Sequence, residues 1–184
     1  RLGSFLFLRV LKDKEDRRFS EWKKNFHQFL RVWTLQGLWV FLTSVAAVTA
    51  ITSRKIIEPD LFLYIGSFLW VFGFLFESIA DYQKRKFRSE NKNKFIQSGL
   101  WSTSRHPNYF GEIVLWLGIA LIAFPTLVGS QYVSLISPVF VYLLLTRVSG
   151  IHILEKHADD TWGKEKDYKT YKEKTPVLFP KIFK

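Results

Sequence analysis

Four residues able to do polar chemistry lie within the nine-residue stretch SRHPNYFGE, residues 104–112. They are Arg105, His106, Asn108 and Glu112, and the 34 residues that follow, 113–146, carry no charge. Pro107 favours an extended residue before it and the first turn of a helix after it, which places Asn108 and Glu112 on one helical face. A capped helix start explains Glu112 through the helix dipole, but it does not explain all four residues together.

A second polar set precedes this motif in ESIADYQKRKFR, residues 77–88. Glu77, Asp81, Arg85 and Arg88 are spaced i, i+4, i+8 and i+11, so a helix would bring them to one face. Surface ion pairs are the simpler interpretation, but Glu77 falls within an apolar run, where a carboxylate is costly and usually functional. Two acids followed by two arginines suit a ligand that has phosphates at one end.

The C-terminal segment mixes charge with aromatic residues. Arg147 ends the long charge-free stretch, Glu155 follows, and Lys172 and Lys174 lie close to Tyr171. This pattern is compatible with an amphipathic tail on the membrane surface or with lysines that close over a phosphate.

Other kinds of site have little support. The chain has no cysteine, and His152 and His157 are five residues apart, off a common helical face, so we predict no metal site. No glycine-rich dinucleotide or P-loop pattern is present, so a nucleotide would need a different architecture.

The apolar runs predict how these residues are positioned. Residues 32–53 and 61–76 are uncharged, and Pro125 with Gly129 divides 113–146 into two halves. Because a span needs about 20 apolar residues, we predict an all-α polytopic membrane helical bundle with four transmembrane helices. Residues 1–10 read as the end of an upstream hydrophobic segment of a longer protein.

Positive charge alternates with these runs. Segments 9–31, 82–107 and 147–184 carry eight, seven and nine Lys or Arg, and the turn near Gly129 carries none. The positive-inside rule places the three basic segments in the cytosol and predicts a multi-pass integral membrane protein. The net charge of +11 therefore comes from the segments that flank the spans. We expect these segments also to attract anionic lipid, and we expect no nucleic-acid partner.

These motifs resemble the C-terminal domain of the steroid 5-alpha-reductase family, in particular its bacterial-type membrane branch. The likeness covers nearly all 184 residues and includes DRRF, LQGLWV, ESIADYQKRKFR, SGLWSTSRHPNYFGE and LEK followed by DYKTYKEKTPVLFP. The RHP element with its Tyr and Gly is shared by a wider superfamily of sterol reductases and isoprenylcysteine methyltransferases.

The resemblance implies an NADPH-dependent reductase of a carbon–carbon double bond conjugated to a carbonyl, in a steroid-like or isoprenoid lipid. It implies a single domain, 1–184, in which the cytosolic segment 147–184 closes over the cofactor. Asn108 and Glu112 would hold the nicotinamide, and Asp81, Arg88 and Arg147 the ribose and phosphates. The resemblance assigns the groups that polarise the substrate ketone to upstream helices, so no catalytic residue is assigned here. The full predicted cofactor-binding set is Asp81, Arg85, Arg88, His106, Asn108, Tyr109, Glu112, Arg147, Glu155, Tyr171 and Lys174.

Two other functions stay open. An S-adenosylmethionine-dependent membrane methyltransferase would share the RHP motif and the tail pattern, but its cationic cofactor lacks phosphates for the arginines to bind. A non-catalytic structural subunit could keep the fold without the nucleotide.

Overall fold

Helix is the only regular secondary structure in the part of the chain that the structure describes. This computed structural model describes residues 25–56, 58–91 and 93–181, with positions 3, 4, 7, 10 and 11 near the N-terminus. The chain divides into two compact units, residues 1–41 and 42–184. Helices account for 79% of the described residues, which confirms the all-α prediction. The predicted end of an upstream segment, residues 1–10, falls largely outside the described residues.

Among the described residues, four helical stretches are long and apolar enough to cross a membrane: Phe26–Thr52, Leu61–Glu90, Pro107–Thr126 and Gly129–Trp162. This confirms the four predicted spans. The first two are single helices, α1 (Phe26–Thr52) and α2 (Leu61–Glu90). The side chain of Asp60 begins α2 by accepting a hydrogen bond from the Leu63 backbone N–H at 2.8 Å.

The last two spans form the predicted hairpin. Helix α3 (Pro107–Ala123) has Pro107 at its start, as expected, and it ends in a short 3₁₀ turn at Phe124–Thr126. A second 3₁₀ segment, Gly129–Leu135, leads into α4 (Ile136–Leu143). Pro125 and the positive φ of Gly129, +53°, both fall in this connection, because neither suits a continuing helix.

The fourth stretch extends further than the charge pattern predicted. A π-helical segment, Leu144–Val148, follows α4, and the chain bends at Ser149 and Gly150 before α5 (Ile151–Trp162). A last helix, α6 (Lys166–Lys174), precedes a non-helical C-terminal tail, residues 175–181.

Glycines allow α2 and α3 to touch through their backbones. A Cβ atom on Gly73 would lie 2.5 Å from the Gly111 carbonyl oxygen, and one on Gly66 would lie 2.7 Å from the Gly118 carbonyl oxygen. In each helix the two glycines are seven residues apart, so both contacts fall on one face of an antiparallel pair. Small residues are common where membrane helices approach closely. Gly111 therefore does admit a close neighbour, as predicted, and that neighbour is α2.

Small side chains also join the second half of α1 to the α3–α4 connection. Ala46, Ala50 and Ala123 form one buried cluster. The Ser53 hydroxyl donates to the Thr126 carbonyl at 3.1 Å, and the Ser137 hydroxyl donates to the Thr43 carbonyl. Such hydrogen bonds satisfy polar groups among apolar helices, where water is scarce.

Replacing Gly73 by alanine should destabilise the protein. The added methyl group would overlap the α3 backbone, and overpacking of this kind costs about 1–3 kcal/mol. Gly37→Ala is the control, because a Cβ there has no atom within 4 Å and alanine is the better helix former. Thermal unfolding in detergent should show a lower midpoint for Gly73→Ala and an unchanged or higher one for Gly37→Ala. Equal midpoints for the two variants would contradict the close contact.

Candidate functional site

The RHP motif lies in a loop that the C-terminal tail covers. This loop, residues 103–106, connects a 3₁₀ helix, Gly99–Ser102, to α3. The backbone N–H groups of Arg105 and His106 donate to the carbonyls of Pro176 and Val177 at 2.9 and 3.1 Å. The tail donates in return from Lys181 N to the Thr103 carbonyl at 2.9 Å. Because Pro176 and Pro180 cannot continue a helix, the tail is non-helical and its carbonyls can meet the loop.

Ser104 makes a side-chain contact within the same pairing. Its side chain is fully buried, and its hydroxyl donates to the Leu178 carbonyl at 2.8 Å. The loop backbone is therefore fixed by hydrogen bonds from several consecutive residues.

Glu155 of α5 holds the two side chains that follow Ser104. Its Oε2 atom accepts from Arg105 Nη1 at 2.5 Å, and its Oε1 atom accepts from His106 Nε2 at 2.8 Å. The side chains of Arg105, His106 and Glu155 are 10%, 6% and 18% exposed, so this is a buried charged cluster. Charge-assisted hydrogen bonds in such a setting are short and position their partners well. A carboxylate can only accept, so His106 Nε2 carries the proton in this pair.

Trp101 ties the loop to α2 and α6. Its indole N–H donates to the Ala80 carbonyl at 3.0 Å, and its own carbonyl accepts from the Tyr171 hydroxyl at 2.6 Å. The ammonium of Lys84 lies 4.4 Å from the centre of the Trp101 ring, a cation–π contact.

A cavity of about 130 Å³ lies between the end of α2, the loop, α5 and α6. Its aromatic wall centres on Phe95, whose ring is 5.2–5.9 Å from the rings of Tyr168, Tyr171 and Trp162. Pockets for whole organic ligands are usually about 300–1,000 Å³, so this cavity suits one end of a large ligand. Its lining residues include the basic side chains Lys84, Arg88, Lys94, Arg105, His106 and His157, and one carboxylate, Glu155.

That composition gives the cavity a positive character. The single carboxylate is already bonded to Arg105 and His106. Arg88 has no ion-pair partner among the described residues, and Lys94 is exposed at the cavity edge. Cations beside flat aromatic rings suit a ligand that carries phosphate groups and a ring that can stack.

The cavity gathers four of the predicted cofactor-binding residues: Arg88, His106, Glu155 and Tyr171. Arg85 and Asp81 lie on α2 but outside the lining. Because successive residues of a helix are about 100° apart, Lys84 and Arg85 lie on opposite sides of Arg88 around the helix. Of these two residues, only Lys84 lines the cavity.

The other predicted residues lie elsewhere. Tyr109 stacks on His106 with ring centres 5.6 Å apart, and Asn108 Oδ1 is buried with no hydrogen-bond partner among the described residues. Glu112 is half-buried on the next turn of α3. Lys174 lines a second cavity of about 460 Å³ that shares Tyr171, and Arg147 is exposed in the π-helical segment.

Sequence reasoning missed several lining residues. Lys84 had a usable signal, since it precedes Arg88 by one helical turn. Lys94 and Trp101 come from the connection between α2 and α3, where no periodic pattern marks which side chains turn inward.

Two tyrosines of α6 have perturbed acidity. Burial raises the pKa of Tyr168 from 10.0 to about 12, and the nearby carboxylates of Glu155 and Asp159 add to the rise. Burial also raises the pKa of Tyr171 well above its ordinary value. Both phenols are therefore neutral donors at physiological pH.

Within the described residues, no group of three His, Cys, Asp or Glu side chains is placed to hold a metal ion.

Among known protein families, the model described as "Protein of unknown function (DUF1295)" matches residues 1–175. No curated protein and no solved structure matches the chain.

Ser104→Ala should loosen the tail. It removes a buried hydrogen bond and leaves the Leu178 carbonyl with one partner fewer, at a cost of about 1–2 kcal/mol. Amide hydrogen exchange should become faster in residues 176–181, while Ser98→Ala, at an exposed position without a side-chain cap bond, should leave it unchanged. Unchanged exchange in Ser104→Ala would show that the tail does not depend on this contact.

Tyr168→Phe should reduce the loss of stability at alkaline pH. The folded state favours the neutral phenol, so its contribution is complete below the unfolded pKa of about 10 and is lost as pH rises from 10 through 12. Unfolding measured across this range should show a shallower decline for Tyr168→Phe than for the wild type. The exposed Tyr82 provides the control, because Tyr82→Phe should keep the wild-type slope. A wild-type slope in Tyr168→Phe would contradict the assignment.

Proposed function

We propose an activity for this chain, which belongs to the DUF1295 family: it is an NADPH-dependent membrane reductase. Its substrate is a steroid-like or isoprenoid lipid with a carbon–carbon double bond conjugated to a carbonyl. The observation that carries this proposal is the basic, aromatic-walled cavity beside the RHP loop.

The cavity supports a phosphate-bearing cofactor. Lys84, Arg88 and Lys94 contribute three cations from α2 and the connection after it. Guanidinium and ammonium groups bind phosphate oxygens through charge-assisted hydrogen bonds. Phe95 and its aromatic neighbours provide faces on which a base can stack. These residues suit the phosphate groups and the base of NADPH, and the cavity of about 130 Å³ is large enough for only a part of that cofactor.

The residues at the start of α3 are suited to hold the nicotinamide end of the cofactor. Asn108, Tyr109 and Glu112 follow directly on His106, which lines the cavity. The buried Oδ1 atom of Asn108 has no partner among the described residues, so it can accept from the N–H₂ of a carboxamide. When bound, NADPH supplies the hydride. The role of these residues is to orient the nicotinamide, and orientation can contribute several kcal/mol to a rate.

The apolar helices explain why such a site would serve a lipid. α2 and α3 both run from the polar cluster into stretches that are apolar enough to cross a membrane. A lipid substrate can approach along them from the bilayer, while a charged cofactor must enter from water. We place this polar end in the cytosol, because the basic segments 82–107 and 147–184 both belong to it.

The methyltransferase alternative fits the cavity less well. S-adenosylmethionine carries a sulfonium cation and no phosphate, so the side chains of Lys84, Arg88 and Lys94 would repel it or remain unused. Thermal unfolding of the wild type with each cofactor separates the two functions. A ligand that binds the folded state raises the midpoint, so we expect a rise with NADPH and none with S-adenosylmethionine. The opposite result would overturn the reductase proposal.

Arg88→Gln should weaken NADPH binding by about 2 kcal/mol, roughly thirty-fold in Kd, because it removes a charge-assisted contact to phosphate. Lys86→Gln removes the same charge from an exposed position on α2 outside the cavity, and it should change Kd much less. Isothermal titration calorimetry at low and at high salt measures both. If the two variants bind NADPH equally well, Arg88 is a surface charge and not a ligand contact.

A further inference from the structure

Both oxygens of the Glu155 carboxylate are occupied inside the cavity wall. One accepts from Arg105 Nη1 at 2.5 Å and the other from His106 Nε2 at 2.8 Å. Arg105 and His106 are consecutive residues, and each uses one nitrogen for this contact. Glu155 therefore fixes two neighbouring side chains at once.

The backbone beneath these side chains has its own support. The N–H groups of Arg105 and His106 bond to the carbonyls of Pro176 and Val177 in the tail. Tyr109 stacks on the His106 ring from the α3 side. The loop path is thus set by the tail, whereas the direction of the Arg105 and His106 side chains is set by Glu155.

We propose that Glu155 is a positioning residue, which orients Arg105 and His106 as the rigid wall against which the phosphate-bearing part of the ligand binds. This inference rests on the proposed function, because it concerns the same cavity and an anionic ligand. It gives Glu155 an indirect role, whereas the sequence-based prediction that Glu155 contacts the cofactor stays a prediction. Residues that orient ligand-binding groups typically change affinity by roughly ten-fold or more when they are altered.

Electrostatics alone predicts the opposite effect. A carboxylate beside an anion site repels the anion, so removing its charge should strengthen binding. Positioning predicts weaker binding although the cavity becomes more positive. Glu155→Gln separates these two effects, because glutamine has nearly the same shape but only one accepting oxygen and cannot hold both partners in the same way.

Three variants make the test. Glu155→Gln removes the charge and keeps the length, whereas Glu155→Asp keeps the charge and is one methylene shorter. Glu165→Gln removes the same charge at an exposed position before α6 and outside the cavity. The probes are NADP⁺ and inorganic pyrophosphate, titrated into the full-length protein in detergent with Kd as the readout.

We expect Kd for NADP⁺ to rise about ten-fold in both Glu155 variants and to stay within about two-fold of wild type in Glu165→Gln. Binding as tight as wild type, or tighter, in Glu155→Gln would overturn the positioning role while leaving the proposed function in place. Should Glu155→Gln fail to fold, Glu155→Asp decides, since a purely electrostatic role predicts no change there.

A second readout does not depend on the nucleotide. In ¹⁵N NMR of histidine-labelled protein, His106 should show a proton held on Nε2 in the wild type, with the signal assigned by its loss in His106→Asn. Glu155→Gln should shift that signal, because the amide can present a donor in place of an acceptor. An identical His106 signal in both proteins would overturn the inference. Wild-type protein that binds pyrophosphate but not NADP⁺, with weaker pyrophosphate binding in Glu155→Gln, would instead count against the proposed function alone.

Discussion

The contact between the backbones of α2 and α3 sets the geometry on which the rest depends. Gly66 meets Gly118 and Gly73 meets Gly111, so the two helices approach as closely as their carbonyls allow. On the same face of α2, one heptad beyond Gly73, Ala80 accepts the hydrogen bond from Trp101. That bond fixes the RHP loop next to the last turns of α2, where Lys84 and Arg88 lie. Close packing in the apolar region thus determines how near the cations are to the loop.

Charge then gives this junction its chemical character. Basic side chains from α2, the connection and the loop surround one small cavity, and its single carboxylate is bonded within the wall. Cationic side chains with one carboxylate among them repel one another, and this repulsion lowers the stability of the folded protein. An anionic ligand would relieve the repulsion. The aromatic rings around Phe95 exclude water from one side and so strengthen the attraction to such a ligand. Binding an anionic ligand is the role that suits these residues best.

Much of the fold could be predicted because its signals are local. Charge-free runs gave the spans, Pro107 gave the start of α3, and Pro125 with Gly129 gave the hairpin. The spacing of Arg88 on α2 and the RHP motif also predicted binding residues, and Arg88 and His106 do line the cavity. The pairing of the tail with residues 103–106 was beyond reach, because nothing local links segments 70 residues apart. The same holds for Glu155, whose partners only the fold reveals, and for the exposed position of Arg147 after the last apolar turn.

We propose that the cavity serves a hydride transfer to a lipid. This proposal is tested most directly with NADPH that carries deuterium at both C4 positions of the nicotinamide, incubated with the full-length protein and an isoprenoid or steroid enone in detergent. Mass spectrometry of the lipid should show saturation of the conjugated double bond with one deuterium incorporated on carbon. A lipid that stays unreduced while S-adenosylmethionine transfers a methyl group to it would contradict the account.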